Sequence, residues 1–154
     1  MKALLVFAVL VATSYAAEQE VLSLEYSKAV LGELRKCKAQ FPSITEEDYR
    51  SLITDKKLPT TRDQECFAKC YATERGYYKG PGNLDLVKLK TNNAEKYKIP
   101  ENLRTANEID DVCVKKAKSV TDDCKTVTTF YVCRATTARE KGFKFAKYHP
   151  DATV

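Results

Sequence analysis

Six cysteines constrain this chain more than any other feature. They stand in the order Cys37-x28-Cys66-x3-Cys70-x42-Cys113-x10-Cys124-x8-Cys133. The tightest interval is Cys66-Phe67-Ala68-Lys69-Cys70. Residues i and i+4 of an α-helix share a face, so two thiols at that spacing point the same way. The preceding Thr61-Arg62-Asp63-Gln64-Glu65 is rich in helix formers and acids, and Gly76 reads as a C-terminal stop. The pattern predicts a helix from Arg62 to Arg75. A bridge between Cys66 and Cys70 would tie that helix only to itself, whereas bridges to other elements remove more chain entropy. The helix therefore reads as a hub, with two other segments tied to its one face.

The compartment follows from the start of the chain. Met1-Lys2, an apolar run from Ala3 to Ala12, and Thr13-Ser14-Tyr15-Ala16 form the charged, apolar and small-residue regions of a secretory signal peptide. Cleavage is expected after Ala16, which leaves residues 17–154 as one domain, secreted into extracellular fluid. The apolar run is too short for an uncleaved membrane anchor. All six cysteines lie beyond it, and an even count in a small secreted chain implies three disulfides with 15 pairings open on arithmetic alone. No Asn-x-Ser/Thr sequon occurs.

The remaining segments carry helical spacing. Leu22, Tyr26, Val30, Leu34 and Cys37 form one stripe, ending near Phe41-Pro42. Thr45 caps a second helix that starts with Glu46, Glu47 and Asp48 and carries Tyr49, Leu52 and Ile53. Gly80-Pro81-Gly82 marks a turn. Leu84, Val87 and Leu89 open a short helix toward Lys96. A longer one follows Pro100 through Lys118, and a last one is capped at Thr121-Asp122-Asp123. Cys124 and Cys133, nine residues apart, fall on opposite faces of that last helix and should bind different neighbours; Cys113 can pair with one of them. The expected fold is all-α, about six helices, with no segment alternating long enough to argue a sheet.

Several function classes are disfavoured. The net charge is +5, but Lys and Glu are scattered and no run of five like charges occurs, so neither a nucleic-acid patch nor stable membrane insertion is expected. Zinc sites need closed sets of four ligands, and the chain offers one close cysteine pair and a single histidine, His149. No metal and no cofactor are expected. Nucleophilic catalysis also needs a placed histidine, and the one available lies near the chain end. No catalytic residues and no enzyme activity are expected.

This cysteine order resembles the insect odorant-binding proteins, of the pheromone and general odorant-binding type. The x3 and x8 intervals carry the resemblance, together with Glu46-Glu47-Asp48-Tyr49 leading to Lys57-Leu58-Pro59, the Cys66–Cys70 stretch, and Gly76 followed by Gly82-Asn83-Leu84-Asp85. It covers essentially the whole mature chain. The resemblance implies interlocked bridges, Cys37 with Cys70, Cys66 with Cys124 and Cys113 with Cys133. It also implies helices around an apolar cavity that carries a small hydrophobic ligand, an odorant or pheromone, through aqueous fluid. An olfactory receptor or a homodimer are the protein partners it admits.

The stripes offer Val30, Leu34, Leu52, Ile53, Phe67, Tyr71, Leu84, Val87, Leu89, Val114, Val127, Phe130 and Tyr131 as wall residues, although ordinary core packing accounts for any of them equally. Tyr77 and Tyr78 follow the hub helix, where family members border the pocket; a tyrosine has an apolar body and a polar tip for a ligand head group. Phe143 and Phe145 alternate with Lys144 in the tail and suit a lid. The positive balance makes a fatty acid a candidate ligand. A non-olfactory carrier or scavenger of a hormone, lipid or amine shares the same features. A membrane-active helical disulfide protein would share the helices but not the cysteine spacing.

Overall fold

The computed structural model describes residues 18–53 and 58–152, with Leu52 and Ile53 by backbone alone. The expected signal peptide, and the side chains expected of Leu52 and Ile53, lie outside the described residues. Six helices make up the fold: α1 (Leu24–Gln40), α2 (Glu46–Ile53), α3 (Arg62–Glu74), α4 (Leu86–Lys96), α5 (Pro100–Ala117) and α6 (Asp123–Glu140). Among the described residues no helix is long and apolar enough to cross a membrane.

Local chemistry explains where the helices begin. Ser23 caps α1 by accepting from the Tyr26 N–H. Thr45 and Asp48 cap α2 reciprocally, the Thr45 hydroxyl accepting from the Asp48 N–H and the Asp48 carboxylate from the Thr45 N–H. Thr61 and Gln64 make a capping box on α3, and Asp85 and Asp122 cap α4 and α6. α5 has Ile99 at its N-cap, which offers no side-chain acceptor, and Pro100 next. Glu20, far away in sequence, fills the gap: its carboxylate accepts from the Lys98 and Ile99 N–H groups at 2.6 and 3.2 Å and from Asn102 Nδ2 at 2.9 Å.

One expectation needs correcting. The sequence offered no sheet, yet residues 78–84 form a short antiparallel hairpin, β1 (Tyr78–Gly80) and β2 (Asn83–Leu84). The Gly80-Pro81-Gly82 turn folds the chain back on itself, and Leu84 is spent on the hairpin, so α4 starts two residues later than its apolar pattern suggests. Gly82 sits at φ +64, and a Cβ there would meet the Lys118 carbonyl oxygen at 2.5 Å. Only glycine allows the turn so close to the link between α5 and α6.

Three disulfides close the framework. Cys37–Cys70 ties α1 to α3, Cys66–Cys124 ties α3 to α6, and Cys113–Cys133 ties α5 to α6. The hub helix sends its two thiols to two partners, and α6 is held from both faces. The closed segments span 33, 58 and 20 residues. On the chain-entropy model each closure alone contributes about 3–4 kcal/mol, and interlocking makes the three less than additive. The core between the helices is dense around Phe67, which stacks on Tyr49 and meets Phe41 edge-on, each at 6.2 Å between centroids.

The tail is docked. Residues 20–22 and 147 run side by side, with Leu22 N–H donating to Lys147 O at 2.9 Å and Lys147 N–H to Glu20 O at 3.0 Å. The His149 N–H donates to Ser27 Oγ on α1 at 3.0 Å. Phe143 is buried against Tyr97, 5.6 Å between centroids.

Candidate functional site

A small enclosed cavity lies between α3, α4 and α6. From α3 and the residues just after it come Tyr71, Arg75 and Tyr77; from α4, Leu89, Asn92, Asn93 and Lys96; from α6, Tyr131 and Arg134. The α4 set falls at intervals of three, one and three, which is one face of a helix. Its volume is about 20 Å³. That is room for a water molecule or the polar end of a ligand. Lys96 is the one half-buried member of the lining, and the other eight are buried, so the mouth lies at Lys96.

Polar groups hold this centre. The Tyr77 and Tyr131 hydroxyls are 2.5 Å apart. Burial, with Tyr131 next to it, pushes the Tyr77 hydroxyl well above its ordinary range, and burial does the same for Tyr71. Both therefore stay neutral and work as hydrogen-bonding groups. Asn92 donates through Nδ2 to the Arg75 carbonyl at 3.3 Å, while its Oδ1 is buried with no hydrogen-bond partner among the described residues.

Two arginines flank the cavity, each held by carboxylates. Arg75 reaches Glu33 on α1 at 3.2 Å, Glu95 on α4 at 3.4 Å and the Tyr26 hydroxyl at 2.7 Å. Burial opposes its charge, but Tyr71, Tyr26 and Glu33 outweigh burial and raise the guanidinium above its usual range. Arg134 lies 2.9 Å from Asp110 on α5, with the side chains 8% and 0% exposed. That contact is between charges rather than along an aligned hydrogen bond. Asp110 also accepts from Asn93 Nδ2 at 2.8 Å. The Arg134 guanidinium is sandwiched between Phe130 and the tail's Phe145, at 5.4 and 4.8 Å from their centroids. One network thus joins α4, α5, α6 and the tail.

The residues expected as a wall divide by position. Tyr71, Tyr77, Leu89 and Tyr131 surround the cavity. Val30, Leu34, Phe67, Val127 and Phe130 are at most 1% exposed, so they touch no void large enough for water. Leu84, Val114 and Phe143 are buried outside the lining. Phe145 covers Arg134 from the tail, and Tyr78 is half-buried, its hydroxyl bonded to Asp123. Val87 corrects the sequence reading: it is 77% exposed. It lies two residues from Leu89, on the opposite side of α4 from the cavity stripe. Sequence reasoning passed over Arg75, Asn92, Asn93, Lys96 and Arg134. The available signal was two asparagines in the helical register of Leu89.

Among the described residues no group of three or more His, Cys, Asp or Glu side chains could hold a metal ion. The odorant-binding protein OBP28a of Drosophila melanogaster shares the fold, with a TM-score of 0.59 and 18% identity over 79% of this chain and 99% of that one. No curated protein matches the sequence significantly. The family model of the PBP/GOBP family matches residues 22–137, three disulfide bridges included up to Cys133. The chain belongs to the PBP/GOBP family, the pheromone- and general odorant-binding proteins of insects, which are small-ligand carriers rather than enzymes.

Proposed function

We propose that this protein is secreted after cleavage behind Ala16, and that residues 17–154 carry one small hydrophobic molecule, of the odorant or pheromone kind, through aqueous fluid. The observation that carries the reading is the buried cavity lined by three tyrosines and Leu89 together with amide and cationic side chains, within a family of carriers. Such a site suits a molecule with an apolar body and one polar end. Pockets for ligands of that size measure about 300 Å³ or more, so binding requires the wall around Leu89 and Lys96 to move outward. The three disulfides keep the rest of the framework in place while it does. Tyr71, Tyr77, Leu89 and Tyr131 form the first contacts, and the packed Phe130 and Val127 become wall as the cavity widens.

The test is fluorescence titration of the oxidised protein with an apolar probe, followed by displacement with alcohols, aldehydes, esters and fatty acids of graded length. Saturable one-site binding with length-dependent displacement is expected. Absence of saturable binding in protein with all three bridges intact overturns the carrier reading. Binding that requires liposomes favours the membrane-active alternative. Expression confined to non-olfactory tissue, with binding intact, moves the protein from odour carriage to scavenging.

A further inference from the structure

The proposed carrier role leaves open which polar end the cavity accepts. The lining itself bears on this. Asn92 belongs to the lining and is 3% exposed; its Nδ2 is engaged by the Arg75 carbonyl, and its Oδ1 acceptor is unmatched among the described residues. A buried acceptor without a donor is costly, and a ligand that brings a donor recovers that cost on binding. Two tyrosine hydroxyls, those of Tyr77 and Tyr131, line the same space and can donate as well as accept.

The charges in the lining narrow the choice. Arg75, Lys96 and Arg134 are all cationic, and no carboxylate belongs to the lining. An ammonium head group would bring a donor but would find no carboxylate in the lining to pair with. A carboxylate would meet favourable charge, yet it brings no proton for Asn92 Oδ1. It would also have to compete with Glu33 and Glu95 for Arg75 and with Asp110 for Arg134. A hydroxyl is neutral, donates one proton and accepts one, and fits a space of about 20 Å³.

We infer that Asn92, with the Tyr77–Tyr131 hydroxyl pair, forms a subsite that selects an uncharged hydroxyl-bearing ligand, an alcohol or phenol, over an ether, amine or acid of equal length. This inference rests on the carrier reading above. The hydroxyl donates to Asn92 Oδ1 and accepts from the tyrosine pair, and the apolar body extends past Leu89 toward the mouth at Lys96.

The test uses a series of one chain length, a primary alcohol with its methyl ether, amine and carboxylic acid, displacing an apolar fluorescent probe at neutral pH. In the wild-type protein the alcohol is expected to bind about tenfold tighter than the ether, the ratio one satisfied buried hydrogen bond supplies. In Asn92→Leu, checked for native helix content, that ratio should fall to about twofold or less. Three results overturn the inference while leaving the carrier reading standing: equal binding of alcohol and ether by the wild type, an alcohol preference that survives in Asn92→Leu, or tighter binding of the amine or the acid than of the alcohol. If no member of the series displaces the probe, or the probe itself does not bind, the carrier reading fails with it. The wild-type series stands by itself should Asn92→Leu not fold.

Discussion

Asp110→Ala is the most informative single change to make in this protein. The Asp110 side chain is fully buried, 2.9 Å from the Arg134 guanidinium and 2.8 Å from Asn93 Nδ2. Removing it takes the carboxylate away from a guanidinium that is only 8% exposed. Breaking a buried pair by deleting one partner costs about 3–5 kcal/mol, because the remaining charge is left uncompensated. Asn93 keeps Asn107 Oδ1 at 3.0 Å, so its amide adds little to the loss. A single domain holds about 5–15 kcal/mol in all, so the variant should lose a large share of its stability. The double change Asp110→Leu with Arg134→Met removes both charges at similar volume and should return to within about 2 kcal/mol of the wild type. Its shortfall reflects the contacts of Arg134 over Phe130 and Phe145, worth about 1–2 kcal/mol when desolvated. The assay is urea unfolding with disulfides intact, followed by far-UV circular dichroism, with a constant slope against denaturant as the condition for comparing midpoints. If Asp110→Ala loses less than about 1 kcal/mol, water reaches Arg134 and the network is not a closed one.

Two further changes probe other parts of the fold. Gly82 and Gly142 have nearly equal φ, +64 and +63, but a Cβ would strike backbone at Gly82 and meet nothing within 4 Å at Gly142. Alanine at Gly142 should cost about 1–2 kcal/mol of left-handed strain and alanine at Gly82 clearly more, read in the same urea experiment; equal losses would refute the close approach of the hairpin. At high pH, burial holds the Tyr71 and Tyr77 hydroxyls well above their ordinary value of 10.0, with Tyr26 pushed up to about 12 by burial against the pull of Arg75. The unfolded chain therefore sheds protons near pH 10 that the folded chain keeps, so stability is full below that pH and falls as pH rises beyond it. Phenolate absorbance should appear in two stages, the second together with loss of helix. A single stage with helix retained would show that these hydroxyls are open to solvent.

The helices were legible because each carries its own start signal and its own stripe. Thr61 with Gln64, Asp122 and Thr45 mark N-termini within a residue or so, and the apolar spacing marks which face turns inward. The α5 start was legible from Pro100, but its capping group, Glu20, was not, because that contact joins residues about 80 positions apart. The same limit applies to the cavity. Tyr71, Tyr77, Leu89 and Tyr131 stood out as apolar or amphipathic residues. Arg75 and Arg134 did not stand out, since nothing local shows that Glu33, Glu95 and Asp110 will meet them inside. Asn92 and Asn93 were readable in principle: they share the face of Leu89, and an amide in a core register implies a polar partner. Val87 failed for the complementary reason, since an apolar residue two places from the stripe must face outward.

The bracing of the cavity is uneven, and that determines which wall can give way. α3 and α6 are joined to each other by Cys66–Cys124, and each carries a further bridge, to α1 and α5 respectively. α4 supplies four of the nine lining residues and contains no cysteine. Besides Leu89 and the half-buried Leu86, polar contacts hold it: Asn93 on Asp110, Glu95 on Arg75, Lys90 on Asp111 and Asn92 on the Arg75 carbonyl. Water can take over such contacts, at about 0.5–1.5 kcal/mol for a neutral hydrogen bond and about 1.5–3 kcal/mol for one to a charged group, whereas a covalent bridge has no solvent substitute. Growth of the cavity from about 20 Å³ to ligand size should therefore proceed by outward movement of α4. Native-state hydrogen exchange should find the α4 amides less protected than those of α3 and α6 in the free protein, and slowed most when a displacing ligand saturates the site. Protection of α4 equal to that of α6 in the free protein would place the moving wall elsewhere. The docked tail, which reaches the same network through Phe145, would then be the element to follow.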